Sequence, residues 1–216
     1  MQKLSQFKVS LGLIFTSLSI TSFAQLDRSA GDIHLHVSLP YANGYQFEPI
    51  GLGTKTKFGF LGVAAGVDYY IVNTQFLHLG TYFTSDFFIP FPAPVTYEGG
   101  EFEFLGSSSM ILTNNHHIGE RIVIGYGLSY AKNRYNYQDQ RWMDTTITLN
   151  DGISKSHFSF GLAFSSYYRF SEHFHLGLIY RPTYYRFNTS EPLAYEHVIS
   201  LDLAWKFRLW RRSSTE

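Results

Sequence analysis

The chain has 216 residues, no cysteine, and Lys plus Arg at 17 balanced by Asp plus Glu at 17. Charged residues are 16% and aromatics 18%, against roughly 25% charged in an average soluble domain; this is too apolar for a disordered chain, and zero net charge argues against an electrostatic nucleic-acid binder. Absence of Cys excludes a disulfide scaffold, a thiolate metal site, a Cys nucleophile and a lipoprotein acylation site.

The chain opens like an export signal. Lys3 and Lys8 form a positive n-region, Val9 to Ile20 an apolar stretch, and Ser22-Phe23-Ala24 places small residues where a signal peptidase reads. The stretch is too short and too rich in Ser and Thr to span ~30 Å of hydrocarbon. The expected organisation is a cleaved signal peptide over 1–24 and a single domain over 25–216.

Eight segments then alternate with period two. Strand one, about Asp32 to Leu39, sets Ile33, Leu35, Val37 and Leu39 against Asp32, His34, His36 and Ser38. Strand two, about Phe60 to Ile71, sets Val63, Val67 and Tyr69 against Gly62, Gly66 and Asp68. Strand three follows from Leu77 to Phe87, and strand four, about Glu101 to Leu112, is the least regular. Strand five, Ile122 to Ala131, strand six, His157 to Arg169, and strand seven, Phe174 to Tyr185, each put Phe, Leu, Ile and Tyr opposite Gly, Ser and Ala. In strand seven, Tyr185 falls on the same face as Arg181 and Thr183. Strand eight, Ile199 to Leu209, opposes Leu201, Leu203, Trp205 and Phe207 to Asp202, Ala204, Lys206 and Arg208. The strands after short turns begin alike: Phe76-Leu77-His78-Leu79-Gly80, Arg121-Ile122-Val123-Ile124-Gly125 and His173-Phe174-His175-Leu176-Gly177. This hairpin repeat favours one unit over two.

The connections alternate in length. Short ones lie near Asn73-Thr74, Asn114 to Glu120 and Ser171-Glu172; long ones run over Pro40 to Lys57, Phe88 to Gly100, Asn133 to Lys155 and Asn188 to Glu196. An outer-membrane barrel alternates in this way, short turns in the periplasm and long loops outside. The expected fold is all-β: an eight-stranded antiparallel up-and-down transmembrane β-barrel. Its apolar face meets lipid, and its face of small residues and mixed charges fills a lumen only wide enough for side chains. The lumen charges are Asp32, Asp68, Asp86 and Asp202 with Arg169, Arg181, Lys206 and Arg208, expected to form ion pairs.

Three further sets of residues carry chemistry. His34 and His36 share a face at a spacing that suits a metal ion, although ordinary polar filling is the favoured account, since spacing alone is weak evidence. His157 and Ser159 share a strand face with Glu172 later in the chain, a nucleophile-and-base pattern; alternation turns the pair inward and leaves Glu172 a barrel height away. The loop from Asn133 to Lys155 carries Tyr135, Tyr137, Arg141, Trp142 and Met143, residue types that anchor interfaces on exposed loops. The loop from Phe88 adds Pro90, Phe91, Pro92 and Pro94.

The Gly-interrupted aromatic strands, the signal ending Ala24-Gln25 and the terminal strand Leu201-Asp202-Leu203-Ala204-Trp205-Lys206-Phe207 resemble small outer-membrane β-barrel proteins of Bacteroidota, of the outer-membrane protein A/X type. The resemblance spans the mature chain and is one of pattern. Such chains often end on the last aromatic residue; here Arg211 and five further residues follow Trp210. It implies an outer-membrane location, assembly by the barrel-assembly machinery, contact with outer-membrane lipid and lipopolysaccharide, and an envelope protein partner such as a secretion complex. No cofactor is implied. The function expected is a non-enzymatic scaffold displaying loops. The alternatives are a narrow gated channel or a lipid A deacylase-like enzyme using His157 and Ser159, whose His-x-Ser strand the chain resembles without the Asn-rich stretch that follows it in those enzymes. Asp144-Thr145-Thr146 is similar to the O-glycosylation sequon of Bacteroidota. Terminal sequencing of the mature protein is expected to begin at Gln25; recovery of Met1 or Lys3 would exclude signal cleavage.

Overall fold

The computed structural model describes residues 28–86, 100–140 and 152–211. The expected signal segment 1–24, most of the second long loop and residues Arg141, Trp142, Met143 and Asp144-Thr145-Thr146 lie outside these residues. The described chain is built of nine antiparallel strands: β1 Ile33–Phe47, β2 Lys55–Phe60, β3 Gly62–Val72, β4 Gln75–Ser85, β5 Gly100–Ile118, β6 Ile122–Gln140, β7 Ile153–Arg169, β8 Phe174–Phe187 and β9 Leu193–Trp210. From β3 onward each strand pairs with its successor in sequence, and β1 pairs with both β3 and β9, which closes the sheet.

Nine strands make eight staves. β1 pairs Ile33 to Ser38 with Tyr69 to Ala64 of β3, then Ala42 to Phe47 with Phe60 to Lys55 of β2, in one unbroken register. β2 and β3 are therefore a single stave interrupted at Leu61, whose φ is 67° and whose amide still donates to Tyr41 O at 2.8 Å. The cause lies opposite. Pro40 has no amide to give the ladder, and the β1–β9 register slips between Pro40 and Ala42. At this irregularity both strands change parity: Val63 faces out below it, and Phe58 faces out above it with Gly59 inward.

The strands are longer than alternation alone predicted. The expected long loop from Pro40 to Lys57 is mostly paired strand, leaving 48–54 as the connection. β6 runs to Gln140 and β9 starts at Leu193, so the expected loops starting at Asn133 and ending at Glu196 also surrender residues to the sheet. The turn expected over Asn114 to Glu120 narrows to 119–121.

The facing follows the expected alternation. Leu79, Leu112, Leu128 and Leu162 are successive cross-strand partners, and they are 51%, 47%, 47% and 38% exposed, so the large apolar residues point out of the barrel. Asn43, Asp68, Ser200 and Asp202 are fully buried, so the polar residues fill it. One face assignment is corrected. A register shift in β8 between Thr183 and Tyr185 turns Tyr185 outward with Tyr184 and brings Arg186 inside.

Glycine marks where neighbouring strands approach. A Cβ built on Gly161 would stand 2.0 Å from Pro182 O and 2.5 Å from Thr183 Cα. The obstacle there is the β8 backbone. Gly161→Ala is accordingly expected to destabilise the barrel by about 1–3 kcal/mol through overpacking. Leu162→Arg, one residue away on the outer face, should cost about 2–4 kcal/mol near a bilayer midplane. Reversible unfolding in lipid vesicles measures both, and tolerance of Arg at Leu162 would mean the outer face is not apolar-solvated.

Candidate functional site

The interior is filled by layers of polar side chains that reach across the lumen. In the layer nearest the short turns, the Asp32 carboxylate accepts the Ser29 amide at 3.1 Å and lies 3.8 Å from Arg208 Nε. Tyr70 and Phe76 pack over this level as a tilted ring pair, their centroids 5.0 Å apart.

The second layer centres on Asp68, which is wholly buried. Its Oδ1 lies 2.6 Å from His78 Nδ1, and its Oδ2 accepts from Lys206 Nζ at 2.6 Å. The ammonium also sits 4.3 Å from the Phe76 ring centroid. His36 faces the same carboxylate at 3.9 Å. Beside this group Tyr167 donates to Asp202 at 2.8 Å. Above it, Arg181 of β8 crosses to Ser109 of β5 at 2.6 Å, bonds Ser200 at 3.0 Å, and lies over the Tyr82 ring.

The next layer up is organised by Glu196. Its carboxylate takes Arg186 at 2.9 Å, Asn133 at 2.7 Å and the Glu48 amide at 2.9 Å, and lies 2.8 Å from His157 Nε2. The rim above carries Glu103 with Lys55 at 3.0 Å and Lys57 at 3.6 Å, and Lys57 with Asp86 at 3.4 Å. Partial burial disfavours the Glu103 carboxylate, but the Tyr135 hydroxyl, donating at 2.8 Å, and Lys55 outweigh it and hold the group below its ordinary range. Its stabilisation is complete at neutral pH and is lost as acidification passes that lowered value.

The residues expected from sequence are distributed among these layers. Of the lumen charges, Asp68 and Lys206 form a direct pair, Asp32 meets Arg208, Asp86 meets Lys57, Asp202 is held by Tyr167, and Arg181 bonds hydroxyls. Arg169 is half-buried at the short-turn end. His34 packs on Tyr70, while the ligand atoms of His36, Asp68 and His78 lie within 4.8 Å of one another. Those three could in principle hold a metal ion, but the Lys206 ammonium already neutralises the carboxylate such an ion would need. His157 and Ser159 both face the lumen; His157 binds Glu196, and the Ser159 hydroxyl accepts from Asn133 at 3.4 Å. Glu172 is exposed in the opposite turn. Tyr135 points inward, 4% exposed, and packs with Tyr45, Phe47, Leu105 and Val198, with Tyr137 against that cluster. Tyr135 is thus a plug residue, not a loop anchor, because β6 continues past it.

Arg186, Glu196, Asn133 and Asn43 escaped sequence reading. Arg186 was hidden by the β8 register shift. Glu196 was detectable by extending the Val198, Ser200, Asp202 alternation backwards; Asn133 likewise continues Ser129 and Ala131. Asn43 sits beyond the parity change at Tyr41, where no alternation could place it.

No protein-family model matches the chain, and no curated protein matches it. Similar solved structures include the attachment invasion locus protein Ail of Yersinia pestis, at TM-score 0.49 and 11% identity over 82% of this chain and 99% of that one. They include Neisserial surface protein A, at 0.46 and 11% over 82% and 96%. A major outer membrane protein from Thermus thermophilus matches at 0.45 and 15% over 82% and 98%.

Removing one member of the central pair leaves a charge buried alone. Asp68→Asn is expected to lower stability by about 3–5 kcal/mol, and Asp68→Asn combined with Lys206→Met to recover most of it. Denaturant midpoints of the three proteins check this; equal losses in the single and double variants would show that the pair is not coupled.

Proposed function

We propose that the protein is an exported, non-enzymatic outer-membrane β-barrel that holds its extracellular loops as a recognition surface, working with an envelope or secretion-complex partner, of the small Bacteroidota kind its sequence resembles. The observation that carries the reading is the inverted polarity of a closed sheet. Large apolar side chains cover the outside, and buried Asp, Glu, Arg and Lys fill the inside. Such a surface needs hydrocarbon around it, and only a sheet without edges can be placed there.

The interior supports a scaffold over a channel. Arg181 to Ser109, Asn133 to Glu196 and Lys206 to Asp68 each tie strands that are not neighbours in the sheet, so side chains span the lumen at three levels. It also supports a scaffold over a deacylase, since the His157 and Ser159 side chains lie away from the lipid that such an enzyme would cleave. Recognition then rests with Arg141, Trp142 and Met143, because Tyr135 and Tyr137 are committed to the barrel mouth. Lipid, lipopolysaccharide and the barrel-assembly machinery are the remaining partners in this reading.

The folded protein is expected to resist detergent and migrate differently before and after boiling, and to give no steady large conductance in planar bilayers. Deleting most of 141–151 should preserve the heat-shifted migration and abolish a native-membrane protein crosslink. Crosslinks that persist unchanged in the shortened protein would remove this loop as the recognition site.

A further inference from the structure

The outer wall is not uniformly convex. Where β3, β4 and β5 meet near the long-loop end, a surface trough of about 370 Å³ runs between Leu61 and Phe83 on one side and Phe104 on the other, floored by Gly106 and Ser108 and bounded by Arg134. That volume falls in the range of sites that hold small ligands. The trough exists because small residues coincide across strands: Ser85 pairs with Gly106 and Phe83 with Ser108. The Phe104 ring leans alongside Gly106, 3.1 Å from where a Cβ would stand.

The neighbouring strand supplies charge at this place. Along the outward face of β6, Ile122, Ile124, Tyr126, Leu128 and Tyr130 give way to Lys132 and Arg134. Arg134 is the direct cross-strand partner of Gly106 and itself lines the trough; Lys132 pairs with Ser108 one step along the same strand. Lys132 is further placed over the Phe158 ring, its Nζ 5.2 Å from the centroid.

Height along the barrel fixes what can meet these cations. Ser108 lies ten residues from Ile118 at the short turn. At ~3.3 Å per residue and a tilt of about 40°, that is ~25 Å, the height of the apolar band of an outer-membrane barrel. The trough therefore sits at the top of the hydrocarbon, where acyl chains begin and headgroup phosphates lie.

We propose that this trough binds a phosphorylated lipid of the outer leaflet, one acyl chain lying between Phe83 and Phe104 over Gly106 and Ser108, with its phosphate held by Arg134, which lines the trough, and attracted by the positive charge of Lys132 beside it. The inference rests on the outer-membrane reading above. Guanidinium and ammonium bonds to phosphate are charge-assisted and survive at an interface better than neutral bonds, while the chain contributes apolar burial in a preformed groove. A neutral lipid gains only the second of these.

The test uses the mature barrel in detergent micelles, with lipid retention read by native mass spectrometry. The probes are dioleoyl phosphatidic acid and dioleoyl phosphatidylcholine, which share their chains. Phosphatidic acid is expected to be retained about tenfold better by the wild type, a factor within reach of one charge-assisted bond. Arg134→Gln with Lys132→Gln should erase that preference, and Ser108→Phe should reduce retention of both lipids by filling the floor. Excess inorganic phosphate should leave the preference intact. Heat-shifted migration confirms folding of each variant and separates the two readings. A protein that never folds into micelles or vesicles fails as an outer-membrane barrel. A folded wild type without preference, a preference unchanged in the double Gln variant, or one abolished by free phosphate overturns the lipid site alone.

Discussion

The pairing of β1 with β9 is the contact on which the remaining structure depends. A sheet of this length with two free edges would leave rows of amide and carbonyl groups unpaired, and in hydrocarbon each such group costs several kcal/mol. Joining Ile33 through Gln46 to the last strand removes both edges together. Only then can the outer face carry Leu, Ile, Phe and Tyr without competing polar backbone, and only then does an inside exist. The polarity inversion is a consequence of closure, not an independent feature.

A narrow closed inside must be filled, and here it is filled with charge. Burying an ion pair is not in itself a strong source of stability, since desolvation offsets most of the attraction. What the pairs supply is specificity of arrangement. Asp68 meets Lys206 and His78, and Glu196 meets Arg186, Asn133 and His157. These sets draw on β3, β4 and β9 at one level and on β6, β7, β8 and β9 at another, so a strand displaced by two residues would strand a charge without its partner. The aromatic plug of Tyr45, Phe47 and Tyr135 closes the upper end by a different device, ring packing, where the strands rise beyond the apolar belt.

Period-two alternation made the staves and their facing legible in the sequence, because an apolar outside and a polar, side-chain-filled inside impose opposite demands on consecutive residues. It failed wherever the period itself breaks. The Tyr41–Leu61 irregularity concealed β2 and the inward Asn43. The β8 shift exchanged Tyr185 for Arg186. Strand ends were read short because polar residues such as Asn133, Tyr135 and Glu196 look like loop when they are in fact lumen-facing strand extending past the belt. The cross-lumen partners were not legible at all. Alternation showed that Asp68 and Lys206 both face inward, but which acid meets which base depends on stagger, about which alternation carries no information.

The order of pairing bears on how the molecule assembles. Every contact along the sheet from β3 to β9 joins strands adjacent in sequence, many through turns of only a few residues. Such hairpins form at small cost in chain entropy. The seam is different, since it brings Ile33 to Trp210 and must close nearly the whole chain into a ring. Non-local pairings of this kind are the slow ones. By contact order, the first and last strands are expected to be the last to pair. Those two strands are the ones whose backbone amide and carbonyl groups wait longest for a partner.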